Sequence, residues 1–387
     1  MLSSSIETVV ASHLGRTFPA AAIVVRRSGA EHYARAFGWL DPEARTQPAS
    51  LETSFDLASV TKLFAATAFM TYVDEGRVSL DLPVCVLLPE FSGDRLIAPY
   101  PDPQAPGSFV TVSPDIGATA DASRVTFRHL LAHDSGLPAW LPLYREGSRA
   151  RAYDAALRTP FAYPTGTHSV YSDIGLILLG LALERLAGQP LDAVVRERVT
   201  APLGLDGIAY NPGDPSNIAP AEFCAWRQRR VHGEVHDENA AGLDGISAHA
   251  GLFANARDLA AFGELFLRRG APLLRSETVQ AMTQLQSEEG NIRRGLGFAL
   301  WSPDPEASIH PLSPDSFGHT GFTGTGLWID PRRELVCVAL TNRVYYGRAN
   351  PDATGAFRVS LNAALAAECQ LVHASSISAA NIAGLSS

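Results

Sequence analysis

The chain has 387 residues, 46% of them hydrophobic and 18% charged, which is the composition of an ordinary folded globular protein. Its 40 acidic and 31 basic residues give a formal net charge of −9, which argues against binding to nucleic acid or to an anionic membrane surface. The longest apolar run, residues 174–183, is too short to span a bilayer.

The N-terminal segment predicts a short amphipathic helix and then a β-hairpin. Ser4 and Glu7 form a capping-box pattern ahead of apolar residues at helical spacing. Residues 20–25 and 32–37 are strand-like runs with a short polar connection, a pattern typical of a hairpin. Glu7 also interrupts the stretch in which a secretory signal peptide would need its apolar core, so we expect a cytoplasmic protein, or a periplasmic one only if a leader was removed.

Lysine is almost absent from this chain. Of the 31 basic residues, 30 are arginine, and Lys62 is the only lysine. A guanidinium stays protonated at any working pH, whereas a desolvated ammonium can lose its proton. Lys62 is therefore a candidate for proton chemistry.

A serine, Ser59, lies three residues before Lys62. The run 61–75 has apolar residues at helical spacing and ends at Gly76, a good helix stop. Ser59 is therefore predicted in the first turn of this helix, on one face with Lys62. Free N–H groups at a helix start could hold the oxyanion formed when Ser59, deprotonated by its neighbour, attacks a carbonyl.

The middle of the chain combines a long loop with helices. Residues 91–123 contain five prolines and no clear helix, and a loop of this length is expected to overhang the pocket and shape substrate choice. Helices are predicted over 126–133 and 174–186. His129 and His133 are four residues apart on the first of them, but no H-E-x-x-H pattern follows, so a metal site is not expected there.

Strand-like patterns return in the C-terminal part. Residues 295–301, 325–329 and 335–340 predict strands, and 357–368 predicts a final helix. Cys337 alternates within the last of these strands and is expected to be a buried small hydrophobe. The four cysteines form no metal or redox spacing.

Strands at both chain ends around a helical middle predict an α+β protein. We expect an antiparallel sheet built from the N- and C-terminal segments, flanked by helices, with an inserted helical lobe. The catalytic unit would be a single domain over 1–372, with the sheet lobe at about 1–58 and 290–372 and the helical lobe at about 59–289. Residues 373–387 are expected to form a flexible tail.

Three short motifs follow one another along the chain: S-x-x-K beginning at Ser59, Y-S-D at Tyr171 and H-T-G at His319. They resemble the motifs of the serine β-lactamases and penicillin-binding proteins. The branch they resemble is related to class C β-lactamases and includes family VIII esterases and D-aminopeptidases. The connecting phrases 130–138, 249–253 and 324–331 resemble the same family, and the likeness extends from about residue 18 to 342. It implies a β-lactamase-like fold.

The resemblance implies that Ser59, Lys62 and Tyr171 are catalytic and that Ser59 forms an acyl-enzyme. A phenol acts as a base near neutral pH only when nearby cations lower its pKa, and Lys62 and His319 could supply those charges. Whether Tyr171 or Lys62 removes the serine proton stays open. The resemblance also places Thr320 and His319 at the leaving side of the substrate.

Further residues are expected to bind substrate or the oxyanion. The N–H of Phe322 is implied as the second oxyanion donor. A polar segment around residues 232–249 can line the pocket or be plain loop structure. The full set of these expected contacts is Asp173, His319, Thr320, Gly321, Phe322, His236 and His249.

The expected activity is hydrolysis of small esters or amides, without cofactor or metal. D-Ala-D-Ala carboxypeptidase, D-aminopeptidase or weak β-lactamase activity is the alternative. A non-catalytic binding protein on the same scaffold is an alternative of another class. The expected partner is a small ester, amide or peptide, with no nucleic acid and no membrane span, and the oligomeric state is left open.

Two departures from the family motifs carry specific expectations. Asp173 stands where the family has an asparagine whose amide donates to a lactam or peptide carbonyl, and a carboxylate has acceptors only. Efficient β-lactam turnover is therefore not expected, whereas a substrate that presents an amine would be favoured. His319 stands where relatives have lysine; if it titrates near 6.5, carboxylate-bearing substrates should react better at pH 6 than at pH 8.

Overall fold

The computed structural model describes residues 2–103, 105, 107–349 and 351–383, and side chains from residue 370 onward lie outside the description. The α-helices, numbered in chain order, are α1 Leu2–His13, α2 Thr61–Asp74, α3 Phe127–Ala132, α4 Arg149–Leu157, α5 Asp173–Ala187, α6 Leu191–Val195, α7 Glu238–Gly242, α8 Ala256–Leu267, α9 Ser276–Thr283 and α10 Pro351–Ala383.

The strands include several short ladders outside the main sheet. In chain order they are β1 Ala20–Arg27, β2 Ala30–Gly38, β3 Phe55–Asp56, β4 Asp94–Leu96, β5 Tyr100–Pro101, β6 Phe109–Val110, β7 Thr119–Asp121, β8 Ala209–Tyr210, β9 Phe223–Cys224, β10 Arg229–Arg230, β11 Leu252–Ala254, β12 Ser287–Glu289, β13 Ile292–Arg294, β14 Ala299–Leu300, β15 Phe317–Thr320, β16 Gly326–Asp330 and β17 Leu335–Thr341.

One eight-stranded antiparallel sheet organises the fold, with the strand order β12-β13-β14-β15-β16-β17-β1-β2. The β1–β2 hairpin turns at Ser28 and Gly29, both with positive φ, which is the geometry that a two-residue hairpin turn requires. Strand β1 pairs with β17, so N-terminal and C-terminal segments of the chain lie side by side in one sheet. The predicted α+β architecture is confirmed.

Strands β1, β16 and β17 are largely buried on both faces of the sheet, and side chains alternate between the two faces. In β1, Ala20, Ala22 and Val24 belong to the large core shared with the helical part of the chain. Their neighbours Ala21, Ile23 and Val25 face a second core, which α1 and α10 cover. Cys337 is buried in this second core, as predicted.

Several predicted elements differ from those observed. The strand predicted over 295–301 is ordered as strand only at Ala299–Leu300. The helix predicted over 357–368 lies inside the longer α10, so the segment predicted as a tail from residue 373 begins within this helix. Residues 384–387 lie outside the described residues. The bounds proposed for the two lobes stay a prediction.

The proline-rich segment 91–123 is not a plain loop. It forms two small ladders, β4 with β7 and β5 with β6. Tyr100 packs with Ala162 and Tyr163, a few residues before Tyr171. Its expected influence on substrate choice stays a prediction.

The lengths and compositions of the helices bear on whether one of them could span a membrane. Among the described residues, no single helix is long and apolar enough to cross a membrane. One pair, Asp173–Ala187 with Leu191–Thr200, meets the length and composition together but is bent by 79°.

Candidate active site

Ser59 lies at the point where the chain enters α2. It belongs to a single 3₁₀ turn, Ala58–Val60, rather than to the first turn of the α-helix as predicted. Ala58 has φ +45°, a left-handed conformation that costs energy for a residue with a Cβ. Its N–H donates to Asp56 Oδ1 at 2.8 Å, which holds this strained turn in place. The turn leaves Ser59 partly exposed.

The Lys62 ammonium is fully buried and contacts three oxygen atoms. Its Nζ lies 2.9 Å from Ser59 Oγ, 3.0 Å from the carbonyl oxygen of His249 and 2.7 Å from Asp173 Oδ1. The first two contacts are hydrogen bonds, and the third is an ion pair. Burial alone would lower the pKa of Lys62, but the Asp173 carboxylate and the Tyr171 hydroxyl outweigh burial, and the pKa is raised. Lys62 is therefore charged in the resting site.

The Y-S-D motif is positioned by the start of α5. Ser172 is the N-cap: its Oγ accepts the N–H of Gly175 at 3.2 Å and donates to the carbonyl of Pro138 at 2.6 Å. The N–H of Ser172 also donates to His133 Nδ1 at 3.0 Å. These bonds place Tyr171 and Asp173 on either side of the cap, both turned towards Lys62.

Tyr171 lies within a group of rings and cations. Lys62 Nζ is 4.7 Å from the centroid of its ring, and the rings of His133 and His319 lie at centroid distances of 4.7 and 5.7 Å. Burial raises the pKa of Tyr171, and the charge of Lys62 opposes that rise only in part. The resting phenol is therefore neutral, unlike the low-pKa phenolate expected from the sequence.

His319 does not supply the titratable charge expected of it. It is 3% exposed, and its Nδ1 donates to the carbonyl of Thr320 at 2.8 Å. Burial lowers the pKa of His319 well below its usual value, and the charges of Lys62 and Arg294 lower it further. Burial therefore favours the neutral imidazole and argues against the expected preference for pH 6, which stays a prediction.

The turn after β15 is hydrogen-bonded to the segment that precedes Ser59. Thr323 Oγ1 donates to the carbonyl of Asp56 at 2.6 Å, and Thr325 Oγ1 donates to that of Leu57 at 3.0 Å. Gly321 is required at the contact, because a Cβ there would lie 2.4 Å from the Leu57 carbonyl oxygen. The N–H groups of Phe322 and Ser59 have no acceptor among the described residues. This juxtaposition suits an oxyanion hole.

His236 and His249 lie behind the nucleophile rather than at an open pocket wall. His236 is 4% exposed, bonds Glu222 Oε1 at 2.8 Å and stacks on the ring of Phe322 at 5.7 Å. His249 is 1% exposed, and its Nε2 donates to Asp237 Oδ1 at 2.9 Å. The His236 ring packs on Phe322, and the backbone carbonyl of His249 accepts from Lys62, so the predicted role of these histidines in direct substrate contact finds no support in these contacts.

Three side chains near Lys62 bring possible metal ligands together. Within the described parts of the chain, ligand atoms of Asp173, Asp237 and His249 lie within 4.8 Å of one another. Each is already engaged, since Asp173 pairs with Lys62 and His249 with Asp237. Burial raises the pKa of Asp237, but His249 and the N–H of Ala240 outweigh burial and hold it below its usual range. A metal ion would have to lie beside the Lys62 ammonium, which disfavours it electrostatically.

Arg294 was missed by the sequence reasoning. Its guanidinium carbon lies 4.9 Å from the centroid of the Tyr171 ring. It is one of 30 arginines, so composition singled out Lys62 and not Arg294. Only the path of β13 brings it to the site.

The sequence is similar to a known protein family and to individual bacterial proteins. A family model described as Beta-lactamase matches residues 6–360. The N-acetylmuramyl-L-alanine amidase of Bacillus subtilis (strain 168) is 30% identical over 90% of this chain and 82% of its own length. A putative D-alanyl-D-alanine carboxypeptidase of Escherichia coli (strain K12) is 31% identical over 79% of this chain and 72% of its own length.

Solved structures share the fold at lower sequence identity. EstCE1, a hydrolase with promiscuous acyltransferase activity, superposes with a TM-score of 0.73 at 23% identity, covering 94% of this chain and 98% of its own. The octameric penicillin-binding protein homologue from Pyrococcus abyssi gives a TM-score of 0.67 at 23% identity, covering 93% of this chain and 76% of its own.

Proposed function

The chain belongs to the β-lactamase family and is a serine hydrolase, and from this premise we propose that Ser59 forms an acyl-enzyme with small esters or amides. The observation that carries the proposal is the buried contact of 2.9 Å between Lys62 Nζ and Ser59 Oγ. A serine hydroxyl is a weak nucleophile until a neighbouring group takes its proton. Lys62 is in hydrogen-bond reach to do so.

The resting protonation states restrict the proton path. Lys62 and Tyr171 both have raised pKa values, so both carry their protons before substrate binds. The acidic side chain in contact with Lys62 is Asp173, at 2.7 Å. One path passes the Ser59 proton to Lys62 while Lys62 gives a proton to Asp173. The other uses a small population of Tyr171 phenolate, stabilised by the Lys62 ammonium.

The remaining steps follow from the backbone geometry. Ser59 Oγ attacks the substrate carbonyl, and the oxyanion accepts the N–H groups of Ser59 and Phe322. The intermediate collapses when the leaving group takes up the transferred proton. Water then hydrolyses the acyl-enzyme by the same path in reverse. Thr320 and Gly321 form the strand edge beside which the leaving group would lie.

The proposal is tested by covalent labelling of the wild-type protein. Because an activated serine attacks phosphorus, a fluorophosphonate should add one equivalent to the intact mass, and peptide mapping should place the adduct on Ser59. A heat-unfolded sample is the control, since it keeps the serine but not the site. No adduct, or an adduct on another serine, would refute the proposed nucleophile.

Asp173 is expected to weaken β-lactam recognition relative to ester recognition. Its carboxylate offers no donor to a lactam side-chain carbonyl, and an unpaired acceptor costs roughly 1–3 kcal/mol, or about one to two decades in rate. We therefore expect Asp173→Asn to raise the ratio of cephalosporin to nitrophenyl-ester turnover by about tenfold or more. The ratio is the measured quantity because both substrates acylate Ser59 by the same proton path.

The ion pair with Lys62 adds a second readout to this variant. Ester turnover itself should change as well, because Asp173 contacts Lys62 directly. Asparagine removes the charge that raises the pKa of Lys62, so that pKa should fall. Lys62 is the only lysine, so ¹³C-lysine labelling gives one Cε signal to titrate. An unmoved turnover ratio would contradict the recognition role.

A further inference from the structure

Arg358, on α10, donates to the turn after β15, residues 321–325. Its Nη2 lies 2.8 Å from the carbonyl oxygen of Gly321 and 2.8 Å from that of Thr325. These residues begin and end the turn, and the N–H of Gly321 also donates to the Thr325 carbonyl at 2.8 Å. One guanidinium nitrogen therefore holds both ends of the turn that carries Phe322.

The carbonyl of Gly321 and the N–H of Phe322 belong to one peptide unit. The cis peptide bond of the described residues joins Ala271 and Pro272, so the bond between Gly321 and Phe322 is trans. The carbonyl and the N–H of a trans peptide point in opposite directions. Arg358, bonded to the carbonyl, therefore directs the Phe322 N–H away from itself. This N–H is the second oxyanion donor of the proposed mechanism.

The guanidinium also polarises this peptide. Hydrogen bonds in a chain strengthen one another, and a charged donor has a larger effect than a neutral one. Burial, with a smaller contribution from the charge of Arg343, lowers the pKa of Arg358 to about 9, so it is protonated at neutral pH. No acidic side chain among the described residues offsets this charge. The Phe322 N–H is thus a stronger donor than an ordinary backbone amide.

A second arginine at this turn is bonded differently. Arg343 Nε donates to the carbonyl of Phe322 at 2.7 Å, and its guanidinium carbon lies 4.5 Å from the centroid of the Phe322 ring. That carbonyl belongs to the peptide after Phe322, so Arg343 does not set the direction of the Phe322 N–H. Of these two cations, Arg358 is the one bonded to the peptide that supplies the donor.

We propose that Arg358 is a positioning residue, which aligns and polarises the Gly321–Phe322 peptide so that its N–H stabilises the oxyanion. The inference rests on the proposed function and adds to it a residue that does not touch substrate. Such a donor acts in the transition state, so its loss should lower kcat and leave KM nearly unchanged. The Gly324 N–H also donates to the Gly321 carbonyl, at 3.1 Å. The effect should therefore be smaller than the ~10²- to 10³-fold loss of a whole donor.

The kinetic test uses Arg358→Met, which removes the charge and the donors at similar length. We expect kcat for a short-chain nitrophenyl ester to fall about tenfold, with KM changed less than about threefold. Arg358→Lys, which keeps the charge on a shorter side chain, should lose at least about threefold in kcat but less than Arg358→Met. Arg230→Met is the matched control and should change neither parameter, because Arg230 Nη1 also donates to two backbone carbonyls, those of Ala221 and Tyr345.

Nuclear magnetic resonance reads the peptide directly. Glycine is followed by phenylalanine twice in this sequence, at 297–298 and 321–322. Labelling with ¹³C-carbonyl glycine and ¹⁵N-phenylalanine therefore gives two signals from bonded carbonyl–nitrogen pairs, and Phe322→Leu assigns them by removing one. Arg358→Met should move the Gly321–Phe322 signal and leave the other in place. Movement of both signals would indicate a general structural change and overturn the proposal.

The remaining outcomes are equally decisive. An unmoved Gly321–Phe322 signal or an unchanged kcat in folded Arg358→Met refutes the positioning role, and a raised KM alone assigns Arg358 to substrate binding. If circular dichroism shows that Arg358→Met does not fold, Arg358→Lys decides, and wild-type kcat with an unmoved signal refutes the role. Fluorophosphonate labelling of wild type checks the nucleophile separately. Absent labelling refutes the proposed function, whereas retained labelling with inert Arg358 variants refutes the positioning role alone.

Discussion

Replacing Lys62 with arginine is expected to lower turnover of a short-chain nitrophenyl ester by at least ~10²-fold, the lower scale for losing acid–base help. Arginine keeps the positive charge but does not exchange its proton. In the structure the ammonium also donates to Ser59 Oγ and to the His249 carbonyl and forms an ion pair with Asp173. The planar guanidinium does not reproduce that arrangement within a site of 0% exposure. Steady-state kcat and the rate of fluorophosphonate labelling measure the effect.

Folding has to be separated from catalysis in this variant. A larger side chain in a packed core destabilises by about 1–3 kcal/mol, so the melting temperature is measured alongside turnover. Lys62→Met provides the comparison, because it removes both the charge and the proton at similar length. A folded Lys62→Arg protein with near-wild-type turnover would show that Lys62 is only an electrostatic element and that Tyr171 acts as the base.

Removing the Tyr171 hydroxyl as Tyr171→Phe is expected to lower kcat by ~10²- to 10⁴-fold if this phenol carries the proton. The variant keeps the ring, and with it the contacts to Lys62 and Arg294. Lys62 stays paired with Asp173, so the remaining site is intact. The pH profile of kcat/KM should change shape as well, because a raised-pKa phenol no longer contributes an ionisation.

Tyr163 offers the matched control for that experiment. It is also a buried tyrosine, and its hydroxyl donates to the backbone carbonyl of His133 at 3.3 Å. Tyr163→Phe should leave turnover within a few-fold of wild type. If Tyr171→Phe behaves the same way, the proton path runs through Lys62 and Asp173 instead.

Distinguishing the two proton paths requires variants of three residues, Lys62, Tyr171 and Asp173. Lys62→Arg blocks the path through the ammonium, and Tyr171→Phe blocks the path through the phenol. Asp173→Asn removes the charge that pairs with Lys62. Residues in one hydrogen-bonded network are not additive. The double variant Lys62→Arg with Tyr171→Phe should therefore lose little beyond the more damaging single change.

Local sequence was sufficient for features that depend on neighbouring residues. The hairpin, the helix after Ser59 and the alternation of residues 335–340 are short-range patterns, and each appears close to its predicted position. The rarity of lysine led to Lys62 because every other basic residue is arginine. The order of the three motifs also indicated the family, and hence the antiparallel sheet built from both chain ends.

Electrostatic states could not be predicted in the same way, because they depend on burial and on residues distant in sequence. His319 was expected to titrate near neutral pH, but desolvation keeps it neutral. Asp173 was expected to meet substrate alone, but the cap at the start of α5 brings it to 2.7 Å from Lys62. Residues 62 and 173 are far apart in the sequence, so no short-range sequence pattern predicts this contact.

The sequence by itself thus determined the nucleophile motif, the family and the order of the main strands and helices, since these follow from spacing and periodicity. Only the tertiary structure decided which charges are paired. It placed Asp173 against Lys62, buried His319 as a neutral ring and brought Arg294 to Tyr171 without a carboxylate partner among the described residues. The physical reason is that a charge interacts with whatever the fold places within a few ångströms, and its free energy depends on burial there.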